Sequence, residues 1–388
     1  MKKTANIVLG SYVNGYSIIQ ELYENGVKDI IVIDIDKDVS AYSNKIKRFI
    51  QIDNNIESLH SALKYLSKKY ELLILYPNQD IYIKYLSDLY LKIKDYSFIA
   101  FNQSTIKESL NKIVQYDYCE KLNIPYPNTL LVNKLDDINK IYELDFPVII
   151  KPSERDNISG NVFRNLLLNS KNEYDLLSEL SKHINNGISF LASEVIPGDG
   201  SNIYSYMSFR SKDGKILGEW TGKKLSQFPN NFGVFSSASN ESSEIVLEQG
   251  RMLLKGMNLY GINQPEFKYD PRDQKYKLME INLRPMMWHR LGALSGVPLN
   301  YIQYLRATNK DIPKYVQKKN NKIHYTYLNH ELINLLYRSN YYSKFKNNVF
   351  NADKIVLALW DLKDPLPFFY SFISVVKKYF RYKRKNKH

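Results

Sequence analysis

The chain has 388 residues, 44% hydrophobic and 24% charged, with a formal net charge of +14. That length can bury a sizeable core in two or three domains or subdomains, and the composition is that of an ordinary globular protein. Its one cysteine, Cys119, excludes an intrachain disulfide framework and a multi-cysteine zinc site, while the positive charge points to acidic partners such as nucleotides or anionic lipid. No zinc-finger, helix-turn-helix or stacking-aromatic pattern supports nucleic-acid readout, so no nucleic-acid partner is expected. Met1-Lys2-Lys3 runs directly into a short apolar stretch, without the long apolar run of a signal peptide, and no stretch reaches ~18 apolar residues. A cytoplasmic protein without a spanning helix is expected.

In chain order, Ala5–Leu9, a helix over Ser17–Tyr23 and Ile30–Ile33 read as a βαβ unit. Its turn, Gly10-Ser-Tyr-Val-Asn-Gly15, lacks the Gly-x-Gly-x-x-Gly of dinucleotide-binding folds, which disfavours an NAD oxidoreductase; the glycines serve a tight turn. Leu72–Tyr76 and Phe98–Phe101 add strands to an open α/β domain over residues 1–103. A helix is predicted from Ser104 to Glu120, then strands at Thr129–Val132 and Phe146–Ile150, the latter delivering Lys151. Residues 153–163 form a polar loop, Ser170–His183 a helix, and Ile188–Ala192 a strand leading to Glu194. A hairpin spans Ile203–Trp220, turning at Asp213-Gly214, and a helix covers Ile245–Met257.

The most informative stretch follows. Glu266-Phe-Lys-Tyr-Asp270 and Lys277-Leu-Met-Glu280-Ile-Asn282-Leu-Arg284 flank a turn-like Asp-Pro-Arg-Asp and read as a β-hairpin. Glu280, Asn282 and Arg284 are two residues apart, so they leave one face of the strand. Two carboxylates and an amide oxygen are hard ligands of the kind that hold Mg²⁺ against substrate phosphates, and the arginine adds a fork for phosphate or carboxylate oxygens.

Five ordered segments carry a family resemblance: Leu110-Asn-Lys112 before Ile124-Pro-Tyr-Pro, Phe146-Pro-Val-Ile-Ile-Lys151, Ser193-Glu-Val-Ile-Pro-Gly-Asp199, Gly222-Lys-Lys-Leu-Ser-Gln227, and the Glu266…Arg284 hairpin. With them the chain resembles the ATP-grasp superfamily, and within it the carboxylate–amine ligase branch that includes D-aspartate ligases. The resemblance implies an α/β amino-terminal domain (1–103), a two-lobed ATP-grasp domain of α+β type (104–310, its lid lobe about 129–193) and a carboxyl-terminal extension (311–388). It implies that Lys112 and Lys151 contact ATP phosphates, and that Glu194, Val195 and Ile196 line the adenine edge. Asp199 then meets the ribose hydroxyls, although Pro-Gly-Asp-Gly is also an ordinary turn. Glu266, Glu280 and Asn282 would ligate Mg²⁺, with Mn²⁺ as a substitute, while Arg284 steadies the transferred phosphoryl group. Of Lys223 and Lys224, adjacent on a strand, only one can enter the site, and Lys224 is the expected one. The loop at 153–160 would close over the phosphates. His289 reads either as a base or as a structural histidine.

The expected activity is ATP-dependent ligation of a carboxylate to an amine through an acyl-phosphate, on an amino acid or a cell-envelope precursor. The alternatives are an ATP-grasp enzyme that phosphorylates or carboxylates a small metabolite, and an inactive nucleotide-binding or membrane-associated scaffold. Leu366–Val376 is aromatic and apolar, and seven Lys or Arg residues follow between Lys377 and His388. This tail reads either as an in-plane contact with anionic membrane or as a terminal helix packed on the core.

Overall fold

Apolar residues buried on both faces mark the first sheet as parallel and covered by helices. The computed structural model describes residues 3–153, 162–163, 165–171, 175–230 and 233–373. Strands β1 (Thr4–Leu9), β2 (Ile30–Asp34), β3 (Arg48–Gln51), β4 (Leu72–Pro77) and β5 (Ser97–Phe98) pair in the order β3-β2-β1-β4-β5. Helices Val13–Glu24, Ile56–Ser67 and Asp80–Ile93 connect them. The strand expected over Phe98–Phe101 is shorter, because the chain leaves the sheet at Ala100 to press against Gly261. The helix expected from Ser104 to Glu120 is two helices, Ile106–Ser109 and Lys112–Lys121. Asn111 breaks them apart with an extended backbone and caps the second, its side chain accepting from the amide of Ile113 at 2.9 Å.

A second sheet is antiparallel, in the order β6-β9-β7-β8: β6 (Thr129–Val132), β7 (Val148–Pro152), β8 (Leu166–Leu168) and β9 (Phe190–Glu194). Its helix, Leu176–Asn185, is capped by Asp175 and starts later than predicted. Val132, Ile150, Leu180 and Phe190 belong to a core made only of residues from this unit.

The third sheet has the order β14-β13-β10-β11-β12-β15-β16. Its strands are β10 (Ile203–Arg210), β11 (Ile216–Phe228), β12 (Val234–Ser239), β13 (Gly261–Asp270), β14 (Lys275–Asn282), β15 (Ile323–Thr326) and β16 (Lys354–Leu357). Helix Glu244–Gly256 covers one face, and Trp220, Phe235, Trp288 and Tyr325 stack into a core on the sheet. Residues after 311 therefore extend this sheet by two strands. Their helices, Leu328–Tyr337 and Tyr342–Phe350, are anchored by the buried Glu331. Its carboxylate accepts from the hydroxyls of Ser236 (2.7 Å), Ser237 (2.8 Å), Tyr341 (2.8 Å) and Ser226.

Buried contacts bind the first sheet to the rest. Glu21 accepts from the amides of Asn300 (2.6 Å) and Tyr301 (3.0 Å) and from Asn300 Nδ2 (2.8 Å), at the start of helix Leu299–Ala307. Asp364 accepts from the Tyr16 hydroxyl (3.1 Å), the Asn44 amide (2.9 Å) and the Ser43 hydroxyl. Gly261, at φ +86°, lies so close to Ala100 that a Cβ would fall 1.7 Å from its carbonyl oxygen.

Past Asp364 the chain is helical over 366–373. Tyr370 stacks on Tyr42 with ring centroids 3.9 Å apart, and Ser371 accepts from Asn329 Nδ2 at 2.9 Å. That part of the tail packs on the core, while residues 374–388 lie outside the described residues. Among the described residues, no helix is long and apolar enough to cross a membrane.

Gly261→Ala combines a left-handed backbone with a clash against main chain, neither of which a side-chain shift relieves. It should destabilise the protein by at least about 2 kcal/mol in urea unfolding. A variant as stable as the wild type would mean that this junction carries no load.

Candidate active site

Hairpin register places Glu266 directly opposite Glu280, and Gln264 opposite Asn282. Two carboxylates side by side repel, so the site needs cations. Three elements supply them. Lys112, the first residue of its helix, donates to Glu280 Oε2 at 2.8 Å. Lys224 on β11 is 4% exposed and donates to Glu266 Oε1 at 3.2 Å. Lys151 on β7 brings a third charge from the small sheet. Lys112 foremost, with Lys151 and Lys224, holds the Glu280 carboxyl down at about 2 in spite of burial. The sequence-predicted phosphate and metal residues thus converge from β7, β11, β13, β14 and one helix terminus.

Lys223 turns the other way, to Glu241 at 3.1 Å and over the Tyr204 ring. Alternation along the strand thus sends Lys224, of the two, to the carboxylates. Arg284 lies just past β14 and donates through Nε to Asp80 Oδ1 at 2.6 Å, at the first residue of helix Asp80–Ile93. The segment after it is gripped by helix Val13–Glu24: Asn14 Oδ1 accepts from the Met287 amide at 3.0 Å, and Ser17 donates to the Met287 carbonyl at 2.7 Å. The first domain therefore sets where Arg284 points. His289 is buried, with Nε2 2.8 Å from Gln264 Oε1. Burial, aided by Arg284, lowers its pKa to about 3, so at neutral pH it is an uncharged structural residue.

The segment expected along the adenine edge leaves the small sheet at the end of β9. The side chain of Glu194 points inward and accepts from Asn128 Nδ2 and the Asp145 amide, both at 3.0 Å, while its own amide donates to the Asn128 carbonyl at 3.0 Å. The amide of Val195 donates to the Pro147 carbonyl at 2.9 Å, and the side chain of Ile196 is buried. The side chains of Glu194 and Ile196 and the amides of Glu194 and Val195 are thus already engaged within the protein. Asp199 caps the following turn: Oδ1 accepts from the Ser201 amide (2.8 Å) and hydroxyl (2.6 Å), and Oδ2 pairs with Lys344. This is the turn geometry that its Pro-Gly-Asp-Gly sequence also allowed. Although burial opposes it, Lys344 and Ser201 bring the Asp199 pKa down to about 2.

Sequence reasoning passed over Lys268, although it lies inside the Glu266-Phe-Lys segment. Its ammonium donates to the carbonyls of Ile196 (2.7 Å) and Gly198 (2.6 Å), and burial lowers its pKa to about 8. Its spacing from Glu266 was a usable signal, since residues two apart on a strand share a face. Asp80 as the partner of Arg284 had no comparable signal, being 204 residues away. The loop expected to close over the phosphates falls, over 154–161, outside the described residues.

The donor set suits a hard divalent cation. It offers two adjacent carboxylates and the Asn282 amide oxygen on one hairpin, with an ionised Glu280 and no sulfur. The lysines around it suit phosphate oxygens.

No family model matches the chain. It is 26% identical over 256 residues to a D-aspartate ligase of Enterococcus faecium, a match covering 63% of this chain and 60% of that protein, so it spans less than two thirds of this curated relative. Among solved structures, it is similar to the ADP complex of N5-carboxyaminoimidazole synthetase from Staphylococcus aureus (TM-score 0.61, 16% identity, 82% of this chain and 81% of that one). It is also similar to an L-amino acid ligase from Bacillus licheniformis (TM-score 0.57, 12% identity, 82% and 76%). The chain thus shares the fold of these two solved proteins and is similar in sequence to a D-aspartate ligase.

Proposed function

We propose that the protein is an ATP-dependent ligase that joins a small-molecule carboxylate to an amine. The observation that carries this reading is the convergence of Lys112, Lys151 and Lys224 on the facing Glu266–Glu280 pair, with Arg284 at its edge. Lys112 and Lys224 spend their charge on carboxylates here. Glu266, Glu280 and Asn282 would hold the cation, and Lys112 and Lys224 would then pair with phosphate oxygens, so that neither set of charges would be left unpaired. Mg²⁺, when bound by these three residues, neutralises phosphate charge, and Mn²⁺ can replace it. The chain's own groups then do the positioning. Lys151 comes from the small sheet and closes with it, and Arg284, fixed by Asp80, steadies the oxygens of the phosphoryl group in transit.

An oxygen of the acceptor carboxylate attacks the γ-phosphorus and ADP leaves; the amine then attacks the acyl-phosphate carbon, and phosphate leaves with formation of the C–N bond. Water has to be kept from that intermediate, which suits a lid closing on a buried cation-rich cleft. The similarity to a D-aspartate ligase supports an amino acid as substrate, and a cell-envelope precursor is the alternative in this reading. The reading places the enzyme in the cytoplasm, with its tail on the inner face of the membrane. Leu366, Phe369 and Ile373, at i, i+3 and i+7, are each at least half exposed, and the basic run of 377–388 follows in sequence.

ADP release should require both an amine and a carboxylate, and Glu280→Gln should abolish it while the fold survives. Amine-independent release would instead indicate a kinase-like or carboxylating enzyme, and wild-type turnover by the variant would remove the metal assignment. Lys151→Ala should weaken ATP binding by roughly 1.5–3 kcal/mol, the loss of a charge-assisted hydrogen bond, as read by calorimetry. Unchanged affinity would return Lys151 to the surface. Removing residues 374–388, which spares the packed part of the tail, should free the protein from anionic vesicles without lowering its melting temperature. Retention of the truncated protein would take the contact away from the basic run, and a full-length protein that does not bind the vesicles would end the membrane reading.

A further inference from the structure

The turn between the small sheet and the central sheet is held from two sides by lysines that contact no carboxylate of the Glu266–Glu280 pair. From β13, Lys268 donates to the carbonyls of Ile196 and Gly198. From helix Tyr342–Phe350, in the carboxyl-terminal extension, Lys344 pairs with Asp199. Between these two anchors stands Gly198 at φ +87°, with Asn202 Nδ2 packed 2.3 Å from where a Cβ would lie. A Pro-Gly turn of this kind has many conformations in isolation. Here the oxygens of Ile196 and Gly198 are fixed by one ammonium group and that of Asp199 by a second, on two different elements.

Packing alone does not call for this. Even a half-buried lysine is costly to desolvate, and an apolar side chain of the same length would cover the underside of the turn without that cost. What an ammonium adds is directional grip on carbonyl oxygens. β13 is also the strand that carries Glu266, two residues before Lys268. The grip thus sets the turn at a fixed offset from the carboxylates that would hold the nucleotide's cation. Lys344 does the same from the other side, and its helix is seated by Tyr341 and Asn348 on the Glu331 cluster next to β11, the strand of Lys224.

We propose that Lys268 and Lys344 are positioning residues for the nucleotide: together they hold the Val195–Asp199 backbone at the distance from the Glu266–Glu280 pair that a nucleoside triphosphate spans, which makes the carboxyl-terminal helix part of the nucleotide site. The inference rests on the nucleotide-binding reading above. It differs from a role in stability alone because it concerns one ligand and leaves the acceptor side of the cleft untouched.

The test is calorimetric titration of Mg²⁺–ATP into full-length wild type, Lys268→Met, Lys344→Met and Lys344→Arg, with steady-state kinetics beside it. Each methionine variant should weaken ATP binding about tenfold, as loss of a charge-assisted contact does, and raise KM for ATP with little change in kcat or in KM for the amine. Lys344→Arg keeps the charge and should stay near wild type. Lys344 is half-buried on the surface of its helix, so its variants test the idea even if Lys268→Met does not fold. Methionine variants that bind ATP within twofold of wild type overturn the proposal. So does a loss shared equally by ATP and amine parameters, which would mark a general structural defect. A wild-type protein that binds no ATP sinks the ligase reading itself, an outcome distinct from a wild type that binds and variants that bind equally well.

Discussion

Two carboxylates facing each other across one β-ladder are a standing electrostatic problem, and much of this architecture can be read as its solution. Glu266 and Glu280 cannot both stay ionised side by side without cations. The charge is brought in from elsewhere: from the first turn of helix Lys112–Lys121, from β11, and from the end of β7. Each donor belongs to a different sheet or helix, so the site forms only when the whole fold has assembled. A surface salt bridge contributes little, but here Lys224 and Glu266 are almost fully withdrawn from water. Breaking one pair leaves a buried charge behind, which is costly.

The same logic explains why the first domain is welded to the central sheet. Arg284 is useful only if its guanidinium is aimed, and Asp80 aims it from the carboxyl end of a parallel sheet. Glu21 and Asp364 keep that sheet in place by accepting backbone and side-chain donors from segments more than 270 residues away in sequence. A carboxylate buried among several N–H and O–H donors suits such a joint, because it satisfies donors from two elements at once and tolerates no slippage. Burial nevertheless pushes the Glu21 pKa up to about 7, so this joint is held by a group that titrates near neutrality.

Much of this was legible in the residues. The glycine turn after β1, the strand delivering Lys151, the Glu-x-Asn-x-Arg strand and the opposite directions of Lys223 and Lys224 all follow from local periodicity, which needs only a few neighbouring residues. The misses share a different character. Propensity makes one helix of Ser104–Glu120, because it does not show that Asn111 takes an extended backbone to cap a second helix. Strands β3, β15 and β16 are short, and their edges are set by pairing with partners distant in sequence. Lys268 was read as part of a motif and not as a ligand of carbonyls, since nothing local shows that a turn lies above it. Contacts between distant elements, such as Arg284 with Asp80, leave no periodic trace at all.

The closure at Asn128 and Glu194 has a consequence for how such a protein can change. The small sheet begins and ends at residues that bond to each other twice, backbone to backbone and side chain to side chain. Among the described residues, its hydrophobic cluster includes none from outside. A segment whose two ends already touch is, topologically, an insertion: the host sees the same pair of attachment points whatever lies between them. The unit can therefore lengthen, shorten or be exchanged for a counterpart from another protein without moving a strand of the central sheet, so long as Lys151 still reaches the carboxylates. The amino-terminal domain has no such freedom, because its attachment is spread over Tyr16, Ser17, Glu21 and Ser43 and would have to be rebuilt at every contact.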